Sequence, residues 1–381
     1  MKKPLKICFA FLLFLGAVLA FPLFPGSTRA AENEQPNVQE EEVAAALNHI
    51  FAERAKAMVS GKYEMLEQFY AAGQATAKHA YRHERNRILY VNTWAEHRGL
   101  KLDAADSSIR IIRSNISGNT AKVSLVQSQK IGYLYKQKTL PVQFFGVGTR
   151  HFLTLIKQDG KWAISREWYL DPLDENPQKI AAGPDGAPPS AKLGDEPPSE
   201  KKKYNRKRAV AYADKYAGAA WGAGNRHRYN KKYLDYTGKG GDCTNFSSQA
   251  IGDAEEGGGL AMQGGWRYFY GSGGTRTWVQ TDSFGHFLLY SGYASQIAKG
   301  DFTHVTAPSQ KHADGAISKL RPGDLIGYIL NHDDIDHFSI VTGFDDNGYP
   351  LVNSHTADRY RVPFDLGWDA NTRYVLFHIK D

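Results

Sequence analysis

A chain of 381 residues with 42% hydrophobic content can bury the cores of two domains. Its formal charge of +7 invites an anionic partner, yet Lys2, Lys3, Lys6 and Arg29 hold four of the 47 basic residues. Beyond residue 30, 43 basic residues therefore stand against 40 acidic ones, and a balance of +3 argues against a nucleic-acid footprint.

Lys2, Lys3 and Lys6 make a basic start, residues 7–24 are nearly all apolar, and Thr28-Arg29-Ala30 sets small residues at both cleavage positions. Residues 1–30 thus read as a signal peptide for export. The apolar stretch would also suit a retained anchor, but Pro22, Pro25 and the cleavage site favour removal, and Cys8 leaves with the segment. The expected location is extracytoplasmic, secreted or associated with the cell wall, with membrane contact only through the signal.

Residues 31–171 change periodicity midway. Glu40, Glu41 and Glu42 suit a helix start, and Val43, Leu47, Ile50, Phe51 and Met58 recur on one helical face. A second helical stretch is expected over 63–72. Strands are expected over 109–114, 121–127, 148–156 and 162–169, with turns at Ser117-Gly118-Asn119 and Asp159-Gly160. The expectation is an α+β domain, a cone-shaped sheet wrapped on a helix. It offers no nucleophile, metal cluster or phosphate loop, and spacer, ligand-binding and wall-targeting roles stay open. Residues 172–203, rich in Asp, Pro, Gly, Ala and Lys, hold no aromatic residue and read as a disordered linker. The run Lys201 to Lys203 with Arg206 to Arg208 reads first as a solvated surface.

Residues 204–381 form a second α+β unit, with a helix over 209–220, another from Phe246 through Ala254, and strands over 324–330, 337–344, 349–355 and 374–379. Behind the signal only one cysteine remains, Cys243, in Gly241-Asp242-Cys243-Thr244-Asn245-Phe246. A lone thiol in an exported protein is best explained by its reactivity. Placed at a helix start, with Asp242 as cap, it gains stabilisation of the thiolate and aims its own N–H at an oxyanion. His337, opening Asp336-His337-Phe338-Ser339-Ile340-Val341 after a polar loop, is the candidate base. Asn353 and His355, alternating on the next strand, compete to orient it. An odd connecting loop puts one of them opposite His337, an even loop Ser354 or Thr356. His332, Asp333, Asp334, Asp336 and His337 match neither an EF-hand loop nor a helical His pair, so no metal is expected, and covalent catalysis by a thiol needs no cofactor. The aromatics Trp266, Tyr268, Phe269, Tyr270, Trp278, Phe284 and Phe287 read mainly as core.

These motifs, with Pro322-Gly323-Asp324 before the histidine strand and Val352-Asn353-Ser354-His355-Thr356 after it, resemble the putative amidase domain of exported bacterial proteins. That family is similar to the papain-like NlpC/P60 and CHAP hydrolases. The resemblance, over residues 204–381, implies a papain-like fold and a cysteine-type amidase or peptidase, with Cys243 as nucleophile, His337 as base and Asn353 as the orienting residue. Cell-wall peptide is the expected substrate. Two alternatives stay open: an acyltransferase using the same groups, and a non-catalytic wall-binding protein.

Overall fold

The computed structural model describes residues 38–173, 175–183, 190 and 203–381. The signal segment, with Cys8, lies outside the described residues. Helix α1 (Val38–Ser60) carries Glu40 and Glu41 in its first turn, where they meet the positive end of the peptide dipoles, and buries Val43, Leu47, Ile50, Phe51 and Met58. Instead of a helix over 63–72 there is a short 3-10 turn, Glu64–Phe69, and then a long helix α2 (Ala75–His97). Polar residues at buried α2 positions, Glu84 and Arg87, break the apolar spacing that would have announced it. They pair inside: Arg87 lies 3.1 Å from Asp171, and Arg54 of α1 lies 2.5 Å from Glu167. Burial alone would raise the Glu167 carboxyl, but Arg54 and His151 hold it well below the usual range.

Strands β1 (Leu100–Ser117), β2 (Thr120–Tyr135), β3 (Gln143–Gln158) and β4 (Lys161–Tyr169) form an antiparallel meander. The two-residue turn between β3 and β4 uses Asp159 and Gly160, both at positive φ (48° and 77°), the backbone that matches strand twist in such a hairpin. Next come α3 (Arg206–Lys215), α4 (Cys243–Gly252), the short pair β5 (Tyr268–Phe269) and β6 (Gly273–Gly274), α5 (Arg276–Val279) and α6 (Thr281–Tyr290). Then follow β7 (Ala294–Asp301), α7 (Phe302–Thr306), β8 (Leu325–Ile329), β9 (His337–Phe344), β10 (Pro350–Ser354), β11 (Asp358–Pro363) and β12 (Arg373–Ile379).

One antiparallel sheet runs through both halves, in the order β1-β2-β3-β11-β10-β9-β8-β12-β7, with β4 also on β3. The seam is β3 against β11, where Asp358 faces Gly148 and Tyr360 faces Gly146. Both glycines are required by proximity: a Cβ at Gly146 would stand 2.0 Å from the Trp221 carbonyl oxygen, and one at Gly148 would stand 2.3 Å from the Ala219 carbonyl carbon. Ser128, beside Gly148 in the same cross-strand row, donates to Ala219 O at 2.5 Å.

A second tie is polar and buried. Asp365 accepts from Arg98 Nη2 at 2.8 Å, Arg98 Nε at 3.0 Å and Trp94 Nε1 at 3.1 Å, while Tyr133 and Tyr135 both donate to Asp345. One apolar core accordingly mixes Trp94, Leu102 and Tyr133 with Tyr328, Val341 and Phe364. The halves on either side of 172–203 therefore share a sheet and a core, and the described start of that stretch packs rather than dangles. Leu173 and Ile180 are buried around a 3-10 turn, Pro177–Lys179, because a formed core gives even two apolar side chains a place to dock. Residues 184–189 and 191–202 lie outside the described residues. The architecture is mixed α and β with a large antiparallel sheet.

Candidate functional site

The chain reaches α4 through a 3-10 turn, Thr237–Lys239, and through Gly240 and Gly241 at φ 105° and 127°. Only glycine adopts that backbone without strain, and it delivers Asp242 and Cys243 to the helix start. Asp242 does not cap the helix with its side chain as expected. Its carboxylate is turned inward, where it accepts from Tyr236 N (2.9 Å), Asn245 Nδ2 (2.8 Å) and His355 Nδ1 (2.5 Å). Its own N–H donates to Thr356 Oγ1 at 2.7 Å.

His355 lies 2.6 Å from Tyr216 O through Nε2, and its ring is stacked between Tyr229 and Phe246 with centroids at 3.7 and 4.0 Å. Both ring nitrogens are taken up by these contacts, so neither is turned toward the thiol. His355 thus anchors the approach to α4 and does not touch His337.

Cys243 opens α4 and is the sole cysteine among the described residues. Its Sγ lies 3.8 Å from Thr244 Oγ1. Burial pushes the thiol up from its ordinary value, opposed by hydrogen bonding from the Phe338 backbone and the Thr244 hydroxyl. The expected lowering is not found, because at a buried site the desolvation of a thiolate outweighs the helix dipole. The thiol nevertheless lies against the residue that follows His337.

His337 is the first residue of β9 and is buried against Tyr328 and Trp368, with ring centroids at 5.7 and 5.4 Å. Burial, reinforced by the Arg359 charge, pushes it down to about 3. The imidazole is therefore neutral at ordinary pH, and its Nε2 is buried without a hydrogen-bond partner.

Asn353 does not orient that ring. Its Oδ1 accepts from Arg361 N (2.6 Å) and Thr342 Oγ1 (3.1 Å), and its Nδ2 donates to Asp214 at 3.0 Å. The connection between β9 and β10 is odd, five residues from Asp345 to Tyr349. A bulge at Thr342 then slips the register: Leu351 faces Gly343, but Val352 faces Val341 and Asn353 faces Ile340. One extra residue moves everything beyond it to the other face. Asn353 therefore shares a face with Ile340 and Phe338, which pack with Phe246 and Ile251 of α4, while the His337 ring lies on the face of its cross-strand neighbour Tyr328.

The remaining polar residues of α4 are scaffold. Asn245 Oδ1 accepts from Trp278 Nε1, Ser248 joins Trp266 Nε1 to Trp278 O, and Gln249 accepts from Tyr212 OH, all within 3.0 Å. Trp266, Trp278, Phe284 and Tyr268 are core as expected, whereas Phe269 and Tyr270 are exposed. Of the acidic loop, Asp333 pairs with Lys299 and Arg373, and Asp336 accepts from Leu330 N. Among the described residues no cluster of three or more ligand side chains could hold a metal ion. Sequence reasoning missed Tyr216, Tyr229 and Trp368, which hold the two histidines, and the part of Thr356, which accepts from Asp242 N. Only Thr356, adjoining His355 in its motif, carried a signal.

No curated protein matches this chain. Solved structures similar to part of it include a putative dehydratase of the NTF2-like family from Streptomyces avermitilis, at 12% identity, 35% of this chain, 97% of that chain and a TM-score of 0.27. A putative scytalone dehydratase from Novosphingobium aromaticivorans matches at 17% identity, 35% and 83% coverage and a TM-score of 0.24. Neither likeness bears on the chemistry of this chain. Residues 203–378, which contain Cys243, His337, Asn353 and His355, match the family described as the putative amidase domain.

Proposed function

We propose that the chain is a cysteine-dependent amide hydrolase with Cys243 as nucleophile and His337 as base. One observation carries this reading: within the segment that matches the amidase family, the thiol at the start of α4 lies by the backbone of Phe338, whose neighbour His337 keeps an unpartnered, neutral ring nitrogen. In the reaction, the thiol proton passes to the imidazole as the Sγ–C bond forms. The C–N bond then breaks, and the amine leaves with that proton. Water attacks the thioester, releases the carboxylate and restores the thiol. The Cys243 N–H is placed to donate to the oxyanion of each tetrahedral intermediate.

Because His337 lies across β9 from α4, turning the ring alone does not reach the thiol, and the reading requires the first residue of β9 to leave its pairing with Tyr328 and re-seat when substrate enters. Catalytic hydrogen bonds that tighten only in the complex are common. The basic and apolar start of the sequence supports export, and with it a cell-wall peptide as substrate and a secreted or wall-associated location. An amine in place of water would make the same groups an acyltransferase. The test is to incubate the chain with purified peptidoglycan and identify the released fragments by mass spectrometry. New amino and carboxyl termini released by wild type, and absent with Cys243→Ala, are expected. Equal release by that variant would refute the reading.

A further inference from the structure

The outer face of the β1–β4 meander carries a patch that the amide chemistry does not use. Strand pairing aligns Trp168, Phe152, Ser124 and Arg113 in one cross-strand row, and Arg166, Thr154 and Lys122 in the adjoining row. These side chains line an open trough of about 580 Å³. Phe152 and Trp168 are 57% and 61% exposed, and their rings lie side by side at 5.8 Å and 34°, forming one continuous plate. Two large aromatics left in water beside each other are unusual unless something covers them.

Arg113, Lys122 and Arg166 surround the plate, and among the described residues none of them forms an ion pair. Three other basic side chains of the molecule are paired: Lys157 with Glu42, Arg150 with Asp358 and Arg361 with Asp214. The trough thus concentrates unpaired positive charge that the near-neutral composition conceals.

We infer that this face binds an acidic polysaccharide, a glycan bearing carboxylate or phosphate groups. Sugar rings present C–H faces that lie flat on aromatic plates, hydroxyls that suit Ser124 and Thr154, and, in acidic polymers, anions for the three cations. A membrane surface fits less well, because hydroxyl side chains interrupt the apolar part and the plate is held on rigid strands. Single-stranded nucleic acid, whose bases would stack on the same plate, is the competing ligand that the test below separates.

The next row along β3 continues toward the thiol. The Arg150 guanidinium lies 5.2 Å from the Tyr229 ring, Tyr229 stacks on His355, and His355 binds Asp242 beside Cys243. The cationic face therefore reaches, at Arg150, the edge of the segment that holds the thiol. The inference goes beyond the hydrolase reading and does not depend on it.

The test is affinity electrophoresis of the chain through gels containing polygalacturonate, with dextran as the neutral control. Wild type is retarded by polygalacturonate and not by dextran. Phe152→Ala with Trp168→Ala, or Arg113→Gln with Arg166→Gln, weakens retardation by about tenfold, the loss expected from one good contact. No retardation of wild type, or equal retardation of the variants, overturns the proposal. So does equal or tighter binding to single-stranded DNA or to phosphatidylglycerol vesicles. Release of amine from a small peptide amide is measured alongside and is unchanged in all variants. Its absence from wild type while retardation persists would sink the hydrolase reading alone.

Discussion

Arg98→Ala removes the cation that ties α2 to the segment after β11. Arg98 and Asp365 are 1% and 2% exposed at their side chains and lie 2.8 Å apart. The same guanidinium donates to Ala181 O and sits 4.0 Å over the Phe302 ring. Truncation leaves Asp365 buried with only Trp94 and Tyr349 as donors. Breaking a buried pair from one side costs about 3–5 kcal/mol, and the two remaining neutral donors place this case near 3. At about 2–4 °C per kcal/mol for a large domain, the melting temperature should fall by roughly 6–12 °C. Calorimetry and urea unfolding measure it, and a cycle with Asp365→Asn should return a coupling energy of about 2 kcal/mol or more. Loss below about 0.5 kcal/mol would refute the claim that the halves are joined through this pair.

Alkylation of Cys243 by iodoacetamide should rise with pH through a midpoint above the ~8.5 of a free thiol, since burial pushes the thiol up; a midpoint below that value contradicts the site described. The His337 ring resonance should stay in its neutral position from pH 8 down to pH 4. Because its folded pKa is pushed down to about 3 while an unfolded histidine titrates near 6.5, its contribution is complete above pH 6.5 and is lost as pH falls toward 3, by up to about 1 kcal/mol per unit. His337→Phe should remove that part of the acid sensitivity, and an unchanged stability slope between pH 6 and 4 counts against the assignment. Gly146→Ala should destabilise by about 2 kcal/mol or more, because its Cβ would meet the Trp221 carbonyl oxygen at 2.0 Å; a neutral result in urea unfolding contradicts the close packing at the seam. His355→Ala should lower stability and activity together, whereas His337→Phe, which refills the buried space, should abolish activity with little change in melting temperature at pH 7.

What was legible in the sequence was local. The glycines before Cys243 announce the turn, and β9 begins and ends where alternation from His337 to Phe344 places it. Two features escaped because buried charges disguise them. Helix α2 buries Glu84 and Arg87, and β11, Asp358–Pro363, buries Asp358 and Arg359, so neither shows its apolar rhythm. Missing β11 also hid the seam, since that strand joins the two halves. The role of Asn353 turned on a single bulge at Thr342, and the sequence around it, Ile340-Val341-Thr342-Gly343, reads as an unbroken strand. The cationic trough was invisible for another reason: Arg113, Lys122 and Arg166 are far apart in the chain and meet only through strand pairing.

Acid-quenched mass spectrometry of the chain caught during turnover of a peptide amide tests the nucleophile most directly. A thioester has to form on Sγ before water releases the product, so wild type should show the acyl increment on the peptide containing Cys243. Cys243→Ala should show neither increment nor turnover. Sustained turnover with no acyl increment at any quench time, or with the increment on another residue, would contradict the account.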